Sequence, residues 1–425
     1  MSQSPNLAPS YSPTAVVPSQ TQNDQSGNVL PYVSVTPTGT ETYGVTEQSL
    51  ASIKSSFTGG SYRNFRKALG DLRTGVRTNI PVICIGDSTT QGSNGLTPNN
   101  SIQNSWVRRL ADLLTSSGIQ AGWQNCFGDH QTTVNQSSTI QLNDPRIGAF
   151  PAGWVLSVSG FGLAGPGPGG QFFANNSTTN PLTFTPSVQT DTLEVYYLDV
   201  TGYDPFLVKT GASGTTTPTT GGTAGITGSN LVKKLVSTYT LGSNVWTVQR
   251  SGSGTSTFVV GLSAYNSAAP EISLWNMGCG SQKVSYWTAS TNFWDTLRQL
   301  TDTNGAITGA PLAIINIGVN DWLQSTNTSS FNQSLSLLVS KLQSGGTDVL
   351  LVVPIPSSTA LYQQGQIISQ IYQVAASQGC AVVDLTTRWV SQSISSALYG
   401  DAAIHPSYTG YSDVSQAMRP FFMNV

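Results

Sequence analysis

Short apolar runs, each followed by an amphipathic stretch, constrain this chain more than any other feature. PVICIG (81–86), EISLWNMG (271–278), PLAIINIG (311–318), TDVLLVVPIP (347–356) and CAVVDL (380–385) read as strands buried on both faces. Helical patterns lie between them. In 104–118, Trp106, Leu110, Leu113 and Leu114 share a face and Gly118 can stop the helix. In 329–346, Phe331, Leu335, Leu338 and Leu342 are in register, and further helices are predicted over 290–300, 360–379 and 408–422. Buried strands alternating with helices predict an α/β fold: a parallel sheet with helices on each side.

The alternation is interrupted. From 130 to 268 no helical period occurs, and no charged side chain stands between Arg146 and Asp191. Short alternating runs such as WVLSVSG, DTLEVYYLDV and NVWTVQRSG are separated by turn-rich tracts at 165–170 and 210–230. This predicts an antiparallel β-sandwich inserted between two parts of one α/β domain, 46–129 and 269–425. GPGPGG (165–170) neither follows a strand nor opens a helix, so it reads as a turn and not as a phosphate loop. Residues 1–45 carry one charge before Glu41, Asp24, and are rich in Pro, Ser, Thr and Gln. They read as a low-complexity tail or linker that orders only against a partner.

Charge narrows the function. Only 9% of the 425 residues are charged and the formal net charge is −2, against roughly 25% charged in an ordinary soluble domain. A chain so poor in cations is not built to neutralise nucleic-acid phosphates. No apolar run approaches the roughly 18 residues of a membrane span. The N-terminus has neither the basic start nor the apolar segment of a secretory signal. With that, a neutral surface of hydroxyls and amides leads to the expectation of an extracellular or virion-associated protein. The four cysteines have no metal spacing, and Cys84 and Cys380 read as buried thiols. The histidines are His130 and His405, so a zinc site drawing on several is excluded and a general-base histidine must be one of these two. His130, beside Asp129, reads as a surface or hinge residue.

Three segments carry candidate chemistry. Gly86-Asp87-Ser88 ends the first strand, where a parallel sheet forms its sites and a serine can present a nucleophilic hydroxyl. Gly318-Val319-Asn320-Asp321 ends a later central strand and offers an amide to an oxyanion. Asp401-Ala-Ala-Ile-His405-Pro406 precedes the last helix and can supply an orienting carboxylate and an imidazole base. Each alone is ordinary turn chemistry. Together, in this order and context, they resemble the SGNH (GDSL-type) hydrolase family over about 80–128 and 270–425.

The resemblance implies a flavodoxin-like three-layer sheet and ester hydrolysis without metal or organic cofactor. It assigns Ser88 as nucleophile and oxyanion N–H donor, Asn320 as oxyanion amide and His405 as base, with Gly410 fitting the last block. The family's glycine falls in Asn276-Met277-Gly278-Cys279-Gly280, where Gly280 is favoured over Gly278. The family's aspartate usually stands three residues before the histidine. Here that position is Ala402, and Asp401, four before, is the expected partner, with a backbone carbonyl (a Ser–His dyad) or Asp384 as alternatives. The insertion beside the Ser88 block is expected to flank the cleft, and Trp322 is a candidate cleft residue. The leading reading is an O-acetyl esterase acting on a bacterial surface polysaccharide. The tail would meet a virion partner, and analogy with phage fibres would make the assembly a trimer. The alternatives are a lipid or aryl esterase, or a structural or sugar-binding virion protein with a silent hydrolase fold.

Overall fold

The computed structural model describes residues 34–35, 41–42, 62–93, 101–127, 144–148, 153–157, 159–160, 163–164, 172–175, 178–229, 231–254, 256–289, 309–357, 361–389, 396–401 and 404–423. The expected helix over 290–300, the tract 165–170, His130 and Ala402 lie outside the described residues. The chain divides into two units, Met1–Lys54 and Ser55–Val425. In the first, Ser34–Val35 pairs antiparallel with Glu41–Thr42.

The second unit is built on a parallel sheet. In chain order its elements are α1 (Arg63–Arg73), β1 (Asn79–Gly86), α2 (Ser88–Gln91), α3 (Trp106–Ser116), β2 (Ala121–Gly122), β3 (Glu271–Gly278), α4 (Val284–Ala289), β4 (Leu312–Asn316), α5 (Val319–Leu323), α6 (Thr328–Ser344), β5 (Asp348–Val353), α7 (Leu361–Gln378), β6 (Ala381–Asp384) and α8 (Tyr408–Met423). The strands lie in the order β6-β5-β4-β1-β3-β2, with every neighbouring pair parallel. Apart from the edge strand β2 this is the flavodoxin order, and the chain changes direction across the sheet between β1 and β4. Connections leave the carboxyl ends of these two strands in opposite directions, which opens a crevice there.

Strand period two divides the sheet's side chains between two layers. Val82, Cys84, Leu274 and Ile314 face Phe65 of α1, Trp106 and Leu110 of α3, and Tyr411 and Met418 of α8. Ile83, Ile85, Ile315 and Leu351 face Leu335 and Leu338 of α6 and Ile367 and Ile371 of α7. Trp106, Trp123, Trp275 and Trp287 are buried.

Between β2 and β3 the described residues build two larger antiparallel sheets, beside a two-stranded pairing of 159–160 with 163–164. One joins strands 182–184, 246–250, 206–209 and 223–224. The other joins 231–242, 190–199, 257–265, 172–175 and 154–157, with 125–127 pairing to 257–265. Leu193, Val195 and Tyr197 face the first sheet's Phe206, Trp246 and Val248. The alternate residues Tyr196 and Leu198 turn the other way and pack, with Phe127 and Val260, on Trp275 and Met277 of β3. The Phe127 and Trp275 ring centroids are 4.0 Å apart. The larger antiparallel sheet is therefore apolar on both faces, and its second face covers β3 as a helix would.

This seam holds a carboxylate. Glu271, 8% exposed, packs on the Gly122 backbone and accepts a hydrogen bond from Ser273 Oγ at 2.8 Å. Burial pushes its carboxyl up to about 7. A raised carboxyl favours the fold below its unfolded value, and that stability is lost as pH rises from about 4.5 through 7. Glu271→Gln is therefore expected to stabilise the protein by about 1–3 kcal/mol at pH 8 and by little at pH 4.5, read from urea unfolding. An equal effect at both pH values would exclude a charge origin.

Candidate active site

The crevice at the switch between β1 and β4 collects the four sequence blocks. At the end of β1, a Cβ on Gly86 would overlap the Asn316 carbonyl oxygen and the Thr90 side chain. Only glycine lets α2 start this close to β4. Asp87 then caps α2, with Oδ1 accepting from the Thr89 backbone N–H at 2.9 Å and the Thr89 hydroxyl at 2.8 Å. Gly92, at φ 108°, closes the single turn. Ser88 is thus the first helical residue. Its N–H has no intrahelical acceptor and no hydrogen-bond partner among the described residues.

The end of β3 lies directly behind α2. Asn276 Nδ2 donates to the carbonyls of Thr90 and Gln91 at 3.0 and 3.3 Å, and its Oδ1 accepts the Gly278 N–H at 2.9 Å. The Cys279 N–H donates to Gly86 O at 2.9 Å. The N–H groups of Gly278 and Cys279 are therefore engaged, whereas that of Gly280 has no partner among the described residues. Of the two glycines, Gly280 alone keeps a donor for a ligand, and Gly278 is needed for packing. A Cβ at Gly278 would overlap the Gln91 backbone nitrogen. Gly278→Ala is expected to cost about 1–3 kcal/mol of stability and to lower kcat by displacing α2. Unfolding and kinetics together check this; an unchanged kcat would mean α2 does not move.

After β4, Gly318 (φ 133°) turns the chain into α5. Asn320 Nδ2 donates to Gln282 O at 3.2 Å, which fixes the amide and leaves one of its hydrogens uncommitted. Asp321 is fully buried, and its Oδ2 accepts the Val284 N–H at 3.1 Å. Trp322 does not line the cleft as expected: it is 0% exposed and packs in the core beside Phe331 and Ile315. One turn of α5 directs the Asn320 amide to Gln282 and Trp322 into the core.

The last block completes the site. His405 Nε2 lies 3.0 Å from Ser88 Oγ, and His405 Nδ1 is hydrogen-bonded to Asp401 Oδ2. Asp401 Oδ1 accepts the backbone N–H groups of Ile404 and His405 at 2.8 and 3.0 Å. The four-residue spacing works because the loop folds its N–H groups onto the carboxylate. Asp384 is engaged elsewhere, by Tyr372 and Thr386. Hydrogen bonds from Gly400 N to His405 O and from Ser407 N to Leu398 O brace the loop at 2.8 and 2.7 Å. Gly410 fits beneath it, where a Cβ would overlap Leu398 O.

A feature unreadable from the motifs is the burial of their aspartates. Asp87 and Asp321 are both 0% exposed, and burial pushes each carboxyl up to about 6. The assembled groups can deprotonate a serine hydroxyl and receive an oxyanion.

Residues 243–412 match the GDSL-like lipase/acylhydrolase family, a span that includes Gly280, Asn320, Asp401 and His405. No curated protein matches the chain. Among solved structures, a Bacillus subtilis protein, YXIM, is 13% identical, with 62% of this chain and 87% of that chain covered at a TM-score of 0.33. A lipolytic protein of the G-D-S-L family from Desulfitobacterium hafniense is 19% identical, with 35% and 81% covered and a TM-score of 0.30. An acetylxylan esterase from Geobacillus stearothermophilus is 18% identical, with 35% and 71% covered and a TM-score of 0.29.

Proposed function

We propose that this chain, whose residues 243–412 match the GDSL-like lipase/acylhydrolase family, is a carboxylic ester hydrolase that removes O-acetyl groups from a polysaccharide with Ser88 as nucleophile. The observation that carries the site is the unbroken hydrogen-bonded chain Ser88–His405–Asp401. His405 Nε2 takes the Ser88 hydroxyl proton as Oγ attacks the ester carbonyl. Asp401 holds the imidazole by Nδ1 and faces the imidazolium that forms. The N–H groups of Ser88 and Gly280 and the Asn320 amide receive the oxyanion. Collapse breaks the bond from the acyl carbon to the sugar oxygen, which takes the proton from His405 and leaves as the free hydroxyl. A water deprotonated by His405 then releases acetate and restores Ser88.

The substrate class rests on composition. A chain with only 9% charged residues suits a hydroxyl-rich, uncharged ligand better than an anionic one. The same composition supports a place outside the cell or on a virion, with the tail as attachment.

Acetate release from O-acetylated polysaccharide, beside a series of aryl esters of increasing acyl length, tests the proposal. Acetyl esters are expected to turn over fastest, and Ser88→Ala to stop release. Preference for long acyl chains would reassign the substrate to lipid. Absence of Ser88-dependent cleavage of any ester would end the esterase reading.

A further inference from the structure

The Ser88 and Asn320 blocks hold two carboxylates, Asp87 and Asp321, that ester hydrolysis as described leaves unused. Asp87 and Asp321 are both completely buried, and each keeps one oxygen, Asp87 Oδ2 and Asp321 Oδ1, with no hydrogen-bond partner among the described residues. Buried carboxylate oxygens without donors are costly and call for a reason. Capping α2 explains only half of Asp87, because Oδ1 alone makes both bonds to Thr89. An asparagine or serine would cap as well without burying a charge.

The reason is near at hand in the chain. Asp87 directly precedes Ser88, whose Oγ lies 3.0 Å from His405 Nε2. Asp401 meets the same imidazole at Nδ1. The groups that act on Asp87 electrostatically come from each neighbouring element: His405 from the loop before α8, Tyr411 from α8, and Asp321 from α5. Asp321 is faced in turn by Lys283. Of these, His405 is the group that gains a positive charge during turnover.

We propose that Asp87 is a positioning residue for the Ser88–His405 pair: it caps the turn that presents Ser88, and its buried carboxylate, one residue from the nucleophile, favours the imidazolium that forms during turnover. The proposal rests on the assignment of Ser88 as nucleophile. A negative charge near His405 favours its protonated form. Removing that charge is therefore expected to disfavour the imidazolium that forms during turnover.

Asp87→Asn and Asp87→Ser both keep a capping acceptor and lose the charge. Each is expected to lower kcat about 10–100-fold with KM changed less than twofold. Each should also move the acid limb of the kcat/KM profile to lower pH by about 0.5–1. The His405 ring proton, resolved from His130 by a His130→Asn background, should titrate lower by the same amount in NMR. An unmoved limb and an unmoved His405 titration in folded variants would overturn the proposal. So would failure of both neutral caps to fold, which would make Asp87 purely structural. If the wild type instead shows no Ser88-dependent esterase activity, the nucleophile assignment fails by itself, and the NMR titration still reads the charge coupling.

Discussion

Ser88→Ala is expected to lower kcat by about 10⁵–10⁶-fold and to abolish labelling by a fluorophosphonate, with no change in thermal stability. The hydroxyl has no structural duty among the described residues, where it is bonded to His405 Nε2 at 3.0 Å. Alanine keeps the Ser88 N–H and is the best helix former for the first position of α2. The Asp87–Thr89 cap is untouched, since both bonds run to Asp87 Oδ1. The oxyanion donors thus stay in place while the attacking atom is removed, so a small residual rate from binding and polarisation should persist. Labelling at another residue in the variant would locate the nucleophile elsewhere.

Asp401→Asn is expected to lower kcat by about 10³–10⁴-fold while the protein remains folded. Asparagine retains an oxygen for the N–H groups of Ile404 and His405, which Asp401 Oδ1 accepts at 2.8 and 3.0 Å. Its NH₂, in place of Oδ2, would face Nδ1 with a donor. The imidazole must then present Nδ1 as the acceptor and carry its proton on Nε2, toward Ser88, where it cannot act as a base. The measurement is kcat with a denaturation curve on the same sample. A loss of less than tenfold would mean that the carboxylate only shapes the loop and that the enzyme works as a Ser–His dyad.

Much of the α/β unit was legible because its strands are buried on both faces and so read as unbroken apolar runs. PVICIG, EISLWNMG, PLAIINIG and TDVLLVVPIP fall on β1, β3, β4 and β5. The larger antiparallel sheet was harder. In DTLEVYYLDV, Leu193, Val195 and Tyr197 satisfy a sandwich core, but nothing local says that Tyr196 and Leu198 pack on Trp275 of β3. That contact joins residues distant in the chain, and an apolar residue carries no label for which apolar surface covers it. Trp322 failed for a related reason: adjacency to Asn320 suggested the cleft, whereas in a helix a residue two further along points away from it.

Residue types and their context were enough to nominate Ser88, Asn320, His405 and Asp401, because nucleophile, amide, base and carboxylate chemistry belongs to individual side chains and strand ends are read locally. Only the tertiary structure distinguishes Gly278 from Gly280 as a donor, since the Gly278 N–H is already bonded to Asn276 Oδ1. It also decided between Asp401 and Asp384, because only the folded loop brings a carboxylate to Nδ1. And it alone revealed Asp87 and Asp321 as buried charges, because burial is a property of what surrounds a residue and not of the residue itself.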